Sequence, residues 1–447
     1  MQRGADLGRY EPIVAAALEE LKRAKVVERI WALDHTVWKP ESAGIANRLG
    51  WLRVGTQMRE SVPQIEAFAQ EVCAEGFTHA LLLGMGGSSL APEVFRNAFG
   101  VSTGSLDLSV LDSTHPAAVL AQANGLDPAR TLFIVSTKSG GTVETLSLFK
   151  YFYNRIADAL GTERAGRRFV AITDPGSGLA DAAVRHRFRK TFLNDPNIGG
   201  RYSALSYYGL VPAALTGIDL NRLLDRASAC MNQCHTQDAG STDFCTWLGA
   251  AIGALAGKGR DKLTFILSPP ISSFGAWVEQ LIAESTGKEG RGILPVEGEA
   301  LLPVSYYADD RVFVHLRLKG DGSVDGTANE LRRAGHPVIQ IELDDVYDLG
   351  REFFCWEFAT AIAGHLLQIN PFDQPNVESA KAGARAMMAA YQKQGTLQLP
   401  EPTAVDGTIS IYAPPSLPVP DAGSALRNYL ELADPGSGNA SGRSYVA

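Results

Sequence analysis

Three short stretches carry residues whose types and spacing can do chemistry. The first, Gly84-Met-Gly-Gly-Ser-Ser89, follows the apolar run 79–83 and precedes a helix with Pro92 in its first turn. Gly86 and Gly87 let backbone N–H groups converge, and Ser88 or Ser89 can donate or cap. At a helix N-terminus such a turn is an anion site. Two other readings stay open here. One is a dinucleotide turn, with Asp112 ending the next strand where a ribose-binding acid sits, although Ser89 occupies the third fingerprint position. The other is a tight turn of purely structural use. The second stretch, Ser136-Thr-Lys-Ser-Gly-Gly-Thr142, also joins an apolar strand to a helix. Its hydroxyls, lysine and paired glycines suit the several acceptor oxygens of a phosphate monoester at a positive helix end. It is not a Walker loop, because no Gly-Lys-Ser/Thr follows four intervening residues. Its bland alternative is a solvated turn capped by Thr142. The third is Glu284, in the last turn of a helix read over 275–286 from the stripe Val278, Leu281 and Ile282 and ended by Gly287. The helix dipole disfavours a carboxylate there. Either Glu284 forms a surface pair with Lys288 four residues on, or the placement raises its pKa toward that of a general base.

These stretches need a scaffold, and the hydropathy pattern predicts one. A helix is read over 11–30, followed to about residue 62 by a segment with three tryptophans (Trp31, Trp38, Trp51) that reads as a packing lobe. From residue 63, short apolar runs alternate with helical stretches. The runs are 79–84, 106–112, 131–137, 169–174 and 190–194, with helices at 89–99, 143–160 and 178–186 between them. A second series has runs at 262–268, 312–318 and 337–343, helices near 275–286, 325–334 and 350–367, and a closing helix at 376–392. This alternation predicts βαβ units around parallel sheets, an α/β fold. The organisation read is a helical segment over 1–62, domains over 63–235 and 236–392, and a C-terminal segment over 393–447. The last contains one strand-like run (408–412), a helical piece at 423–433 and a flexible composition at 435–442. Ser444-Tyr-Val-Ala447 reads as the start of another strand, so the segment reads as truncated.

Composition excludes several classes. Of 447 residues, 45% are hydrophobic and 20% charged, which fits packed cores and not disorder. The formal charge of −8 argues against a nucleic-acid or membrane-surface partner, both of which favour a basic face. No apolar run approaches membrane-spanning length, and Met1 to Arg9 is followed by no signal core. Five cysteines, an odd and small number, fit a reducing cytoplasm. Cys230, Cys234 and His235 lack the spacing of a zinc site, and no metal is assigned to them.

The ordered motifs resemble phosphoglucose isomerase. The resemblance rests on Gly84-Met-Gly-Gly-Ser-Ser-Leu-Ala-Pro92, Ser136-Thr-Lys-Ser-Gly-Gly-Thr-Val-Glu-Thr145, Asn197-Ile-Gly-Gly-Arg-Tyr-Ser203, Glu284-Ser-Thr-Gly-Lys288, and Phe372-Asp-Gln-Pro-Asn-Val-Glu378 with Lys381. Trp31-Ala-Leu-Asp-His-Thr-Val-Trp38 and Asn47-Arg-Leu-Gly-Trp51 further resemble the isomerase half of transaldolase–phosphoglucose isomerase fusions, without the transaldolase region. The resemblance implies two sugar-isomerase (SIS) domains and an aldose–ketose isomerase of glycolysis and gluconeogenesis. Such an enzyme interconverts glucose 6-phosphate and fructose 6-phosphate through an enediolate. It implies Glu284 as base, Arg201 as the cation beside the enediolate, and Gln374 and Lys381 in the segment that closes on substrate. The sugar phosphate falls to Gly87, Ser88, Thr137, Lys138, Ser139, Thr142 and Gly200. No cofactor or metal is implied, and a homodimer is. One departure stands out: the family's Gly-Gln-His motif is replaced near 325–335 by Asp-Gly-Thr-Ala-Asn-Glu-Leu-Arg-Arg-Ala-Gly, so ring opening is assigned to no residue. His315, His336 and His365 read as core or surface residues, and fused relatives carry a histidine-containing tail. Pro375-Asn376 replaces the family's Trp-Gly. A non-catalytic SIS protein and a bifunctional glucose/mannose 6-phosphate isomerase are the alternatives. The first would not need Glu284, Arg201 and Lys381 together.

Overall fold

A computed structural model of the chain describes residues 3–236, 243–397 and 400–431. Two compact units divide it. The first comprises residues 1–304 and 311–373, the second residues 305–310 and 374–447.

The first unit contains two five-stranded sheets. Strands β2 (His79–Gly84), β3 (Asp107–Leu111), β4 (Thr131–Ser136), β5 (Phe169–Thr173) and β6 (Lys190–Leu193) form one sheet in the order β3-β2-β4-β5-β6, with every pair parallel. Its central strands are buried along nearly their whole length, as expected when helices cover both faces. The order reverses between β2 and β4. In an open α/β sheet that switch point leaves a crevice beyond the strands' carboxyl ends, where ligands bind. The two glycine-rich stretches leave the sheet there, with Gly84 in register with Ser136.

The second sheet has the order β1-β10-β9-β7-β8. It is built from β1 (Arg3–Asp6), β7 (Lys262–Leu267), β8 (Leu294–Val296), β9 (Arg311–Leu318) and β10 (Val338–Leu343). All pairs are parallel except β1, which runs antiparallel along β10. The α/β fold with helix-flanked parallel sheets is therefore present. Helix Leu349–Leu366 forms the centre of this unit. Every residue from 349 to 364 is buried except Arg351, which is half-buried, and the helix packs against helices Leu220–Thr236, Phe244–Ala256 and Phe274–Thr286.

Several expectations are corrected. The helix read over 11–30 is two helices, Glu11–Arg23 and Val26–Trp31, because Lys25 takes a left-handed conformation (φ 52°) between them. The packing read for the tryptophan segment is present, but its partners lie far away in sequence. Trp51 is fully buried, with its ring 5.2 Å from that of Tyr202, and the Trp38 indole donates to the Ala361 carbonyl at 2.8 Å. Sequence periodicity shows that these rings are buried but not what buries them. β1 and β8 escaped the sequence reading because each is very short.

In the second unit, helix Pro375–Gln394 groups with the C-terminal segment. The single strand read at 408–412 is the second arm of a hairpin, β11 (Ala404–Asp406) with β12 (Ile409–Ile411), and helix Ala422–Glu431 follows. The stretches at 435–442 and 444–447 lie outside the described residues. Among the described residues, no helix is long and apolar enough to cross a membrane.

Candidate active site

The Gly84 stretch leaves β2 as a tight turn, Gly86–Ser88, and enters helix Leu90–Phe99. Gly86 has φ +55°, and a Cβ there would stand 2.5 Å from the amide nitrogen of Gln280. Gly87 is held by a different neighbour. A Cβ on it would lie 2.5 Å from the carbonyl carbon of Gly200 and nearer still to its oxygen, so only glycine lets these two backbones meet. Ser203 fastens the contact, its hydroxyl donating to the Gly200 carbonyl at 2.7 Å.

The Ser136 stretch sits alongside. The Ser136 hydroxyl donates to the Ser88 carbonyl at 3.3 Å, tying the two loops together. The hydroxyls of Thr137 and Thr142 share a hydrogen bond of 3.0 Å, and Gly141 N–H donates to Ser139 Oγ at 3.2 Å. Gly140 (φ +66°) lies against the backbone nitrogens of Gly178 and Leu179, at the start of helix Gly178–Arg185. Ser139 is exposed. The Lys138 ammonium is already engaged. It pairs with the Asp174 carboxylate at the end of β5 and donates to the Pro196 carbonyl at 2.8 Å. Burial pushes the Asp174 carboxyl up from its ordinary pKa, against the pull of Lys138. Lys138 thus also braces the Pro196 loop that leads to Gly200.

That loop ends in the turn Gly200–Tyr202, which delivers Arg201. Arg201 is 3% exposed, and two of its three guanidinium nitrogens are fixed by hydrogen bonds. Nε donates to Ser285 Oγ at 2.9 Å, and Nη2 to the carbonyls of Pro371 (3.0 Å) and Asp373 (3.3 Å). Nη1 lies 3.4 Å from a Glu284 carboxylate oxygen. Glu284 stands near the end of helix Phe274–Thr286, one turn after Gln280, so that helix touches both the glycine turn and Arg201. Its side chain is 24% exposed and is the solvent-facing member of the pair. A carboxylate disfavoured by its own helix end is neutralised by a guanidinium from the other sheet's last loop.

The pairing of Glu284 with Lys288 does not occur. Lys288 lies past the helix end, its side chain 6% exposed, and binds the Asp373 carboxylate at 2.6 Å and the Asp373 carbonyl at 2.9 Å. Spacing of four predicts a pair only while the helix continues, and Gly287 ends it. Arg201 and Lys288 therefore share one carbonyl, that of Asp373. Burial lowers the Lys288 pKa from its ordinary value, with Asp373 acting in the opposite sense.

Of the residues singled out from sequence, Gly87, Ser88, Thr137, Lys138, Ser139, Thr142, Gly200 and Arg201 lie in the first unit on turns linked by the contacts above, and Glu284 lies in the same unit on helix Phe274–Thr286. Gln374 and Lys381 belong to the second unit: Gln374 precedes helix Pro375–Gln394 and is exposed, and Lys381 lies in that helix's second turn. Sequence reasoning missed Asp174, Gln280, Ser285 and Asp373. Ser285 and Asp373 sit inside quoted motifs, next to residues given roles, which was the signal available.

Residues 51–291, more than half of the chain, match the profile of the phosphoglucose isomerase family. The chain belongs to that family. The matched region holds both glycine-rich loops, Arg201 and Glu284. A relative from Rubrobacter xylanophilus, described as glucose-6-phosphate isomerase, is 29% identical over 391 residues, covering 76% of this chain and 89% of its own. Another, from Carboxydothermus hydrogenoformans and described in the same words, is 29% identical over 405 residues, covering 76% and 85%. Among solved structures, a hypothetical protein from Thermus thermophilus superposes with a TM-score of 0.73 at 25% identity, covering 87% of this chain and all of its own. A glucose-6-phosphate isomerase from Chlamydia trachomatis superposes with a TM-score of 0.71 over 85% and 86% of the two chains, at 16% identity, a likeness of fold.

Proposed function

We propose that Glu284 moves the proton and Arg201 steadies the charge in the isomerisation this chain performs. As a member of the phosphoglucose isomerase family, it is an aldose–ketose isomerase interconverting glucose 6-phosphate and fructose 6-phosphate. The observation that carries the residue roles is the Arg201–Glu284 pair, set beside two glycine-rich turns at a switch-point crevice.

Moving a carbonyl between C1 and C2 takes a proton from one carbon and returns it to its neighbour. One carboxylate can do both from one face, and Glu284, partly exposed and beside Arg201, is set to do so. The oxygens of the enediolate gain negative charge as the proton leaves. Arg201 is pre-positioned by Ser285, Pro371 and Asp373, so it needs no reorganisation to meet that charge. Such preorganised donors are worth about 3–4 kcal/mol each. The phosphate is taken by the turn of Gly87 and Ser88, by Thr137, Ser139 and Thr142, and by the N–H groups at the start of helix Val143–Leu160. Lys138 adds a cation whose charge is shared with Asp174, and Gly200 lines the approach. Gln374 and Lys381 act from the segment that closes on the sugar, a role that rests on motif match. On this reading the two sheets mark the two isomerase domains read over 63–235 and 236–392, with β1 added to the second sheet from outside that range and helix Pro375–Gln394 grouping with the C-terminal segment instead. The enzyme is a cytoplasmic homodimer, which light scattering of the purified chain would check.

The decisive experiment is a coupled isomerase assay together with solvent-deuterium exchange at C2, on the natural chain and on Glu284→Gln. Loss of both isomerisation and exchange by about 10²–10⁴-fold, with substrate still bound, is expected. Exchange persisting at the natural rate in Glu284→Gln would assign the base elsewhere.

A further inference from the structure

Four of the chain's five cysteines come together away from any role in the isomerisation. Cys230 and Cys234 lie one turn apart on helix Leu220–Thr236, Cys245 opens helix Phe244–Ala256, and Cys355 on helix Leu349–Leu366 borders Cys245. The sulfurs of Cys230, Cys234 and Cys245 lie within 4.8 Å of one another, with Cys230 and Cys245 3.3 Å apart. All three residues are buried, at 1%, 0% and 2% exposure. A carboxylate borders the group: the Cys234 thiol stands 3.2 Å from a carboxylate oxygen of Asp243. That carboxylate is oriented by the N–H and hydroxyl of Thr246, at 2.9 and 2.6 Å. The sequence offered only the pair Cys230 and Cys234 with His235, and His235 instead packs its ring against Trp31. The third sulfur comes from the next helix, which no spacing rule reveals.

We propose that Cys230, Cys234 and Cys245, with Asp243 as fourth ligand, form a structural site for one zinc ion. A tetrahedral zinc with bonds of about 2.3 Å to sulfur sets its ligand atoms about 3.8 Å apart. The three sulfurs reach that spacing with shifts of about 1 Å or less, and Asp243, in contact with Cys234, is the oxygen that moves in as fourth ligand. Asp243 caps helix Phe244–Ala256, so the positive end of that helix faces the thiolates and offsets part of their charge. Thr246 supplies the outer hydrogen bonds that ligating carboxylates characteristically carry. Without an ion the cluster is held by S–H contacts, with the Cys230 and Cys245 sulfurs 3.3 Å apart. Loading breaks three S–H bonds, forms three zinc–sulfur bonds and releases three protons to solvent. With the sulfurs fully buried, the ion enters as the chain folds, and binding joins helix Leu220–Thr236 to helix Phe244–Ala256.

The test uses the full chain, produced in zinc-supplemented medium and purified without a metal column. Elemental analysis should find about one zinc per chain. After zinc removal from the unfolded chain under reducing, anaerobic conditions, refolding with Co²⁺ should restore a thiolate-to-cobalt charge-transfer band with the visible absorption of tetrahedral cobalt. Cys245→Ala and Cys234→Ser should each lower the zinc content at least about tenfold, and Cys73→Ala should leave it unchanged. A reduced, natural chain with no zinc and no cobalt charge-transfer band overturns the proposal, even if the variants fail to fold. So does a cobalt spectrum identical in natural, Cys234→Ser and Cys245→Ala chains. A Cys230–Cys245 disulfide found by mass in a metal-free chain that stays unable to bind cobalt after reduction overturns it as well.

Discussion

Replacing Gly87 by alanine tests how closely the two glycine turns must meet. The added Cβ would stand 2.5 Å from the Gly200 carbonyl carbon and 3.1 Å from its Cα. Carbon atoms rest about 3.5–4 Å apart, so the turns must separate by about 1 Å. Both sides of the contact are backbone, and no flexible side chain can yield instead. One turn carries Ser88, and the other runs directly into Arg201, whose guanidinium is fixed by Ser285, Pro371 and Asp373. A shift of about 1 Å at a reacting centre costs about 10²-fold in rate, and overpacking costs a further 1–3 kcal/mol of stability. The expected result is kcat/KM down about 10²-fold, or about 2.7 kcal/mol, in a chain that still melts cooperatively. Gly199→Ala is the matched control: its Cβ would find its nearest neighbour at 3.7 Å, in a backbone conformation (φ −68°) that alanine accepts. It should stay within about twofold of the natural rate. Both variants go into the same coupled assay, with melting followed by circular dichroism. A folded Gly87→Ala chain within about threefold of natural kcat/KM refutes the close-approach argument. Equal losses in the two variants would refute it too, because they would point to loop composition.

Arg201→Lys should lower kcat about 10²-fold or more and cost about 1–3 kcal/mol of stability, since one ammonium cannot reach Ser285, Pro371, Asp373 and Glu284 together. Natural kcat in the lysine variant would remove the guanidinium geometry from the mechanism. Lys288→Met should lose about tenfold in kcat by loosening the Asp373 carbonyl that Arg201 shares. Because burial lowers the Lys288 pKa, the natural enzyme should lose its Asp373 clamp at a pH below the lysine's ordinary 10.5. Between the lowered value and 10.5 the unfolded chain holds one more proton, so this group's contribution to stability rises with pH there. An alkaline limb in the pH–rate profile that survives in Lys288→Met would assign it to another group. His315, buried on β9 with Asp325 3.3 Å from its Nε2, has its pKa pushed down to about 4 by burial. Its unfolded value is near 6.5, so the unfolded chain binds the extra proton as pH falls from 6.5 to 4. Stability should drop by about 3 kcal/mol across that window, and His315→Gln should abolish the dependence. Denaturant melts at about pH 7 and pH 4.5 read the difference.

The strands of both sheets, β1 and β8 apart, were legible because a strand buried on both faces writes itself as a continuous apolar run. The runs at 79–84 and 131–137 became β2 and β4 to within a residue. Helix Phe274–Thr286 was equally legible, since Val278, Leu281 and Ile282 mark its inner face and Gly287 its end. Partnerships were not legible. Nothing local says that Glu284 faces Arg201 while Lys288 turns to Asp373: the first pair forms only when the helix of one sheet meets the last loop of the other, and the second only when the segment beyond helix Leu349–Leu366 comes alongside. The same holds for Lys138, read as a phosphate cation from its neighbours in sequence but placed against Asp174 by the adjacent strand. Glycine was the most informative residue of all. Gly87 was read in sequence as freeing the backbone for an anion turn, while its close approach to Gly200 belongs to the tertiary structure.

The short strand β1 imposes an order in time. Its residues Arg3–Asp6 pair with 338–341, so partners roughly 330 positions apart must find each other. At synthesis rates of about 5–20 residues per second, β1 leaves the ribosome roughly 15–70 s before β10 exists. Until they meet, the outer edge of β10 is open to wrong strands, and β1 has nothing to pair with. The first sheet has all its strands by residue 193. Its switch-point loops can therefore be in place on the nascent chain before the helix bearing Glu284 has been made.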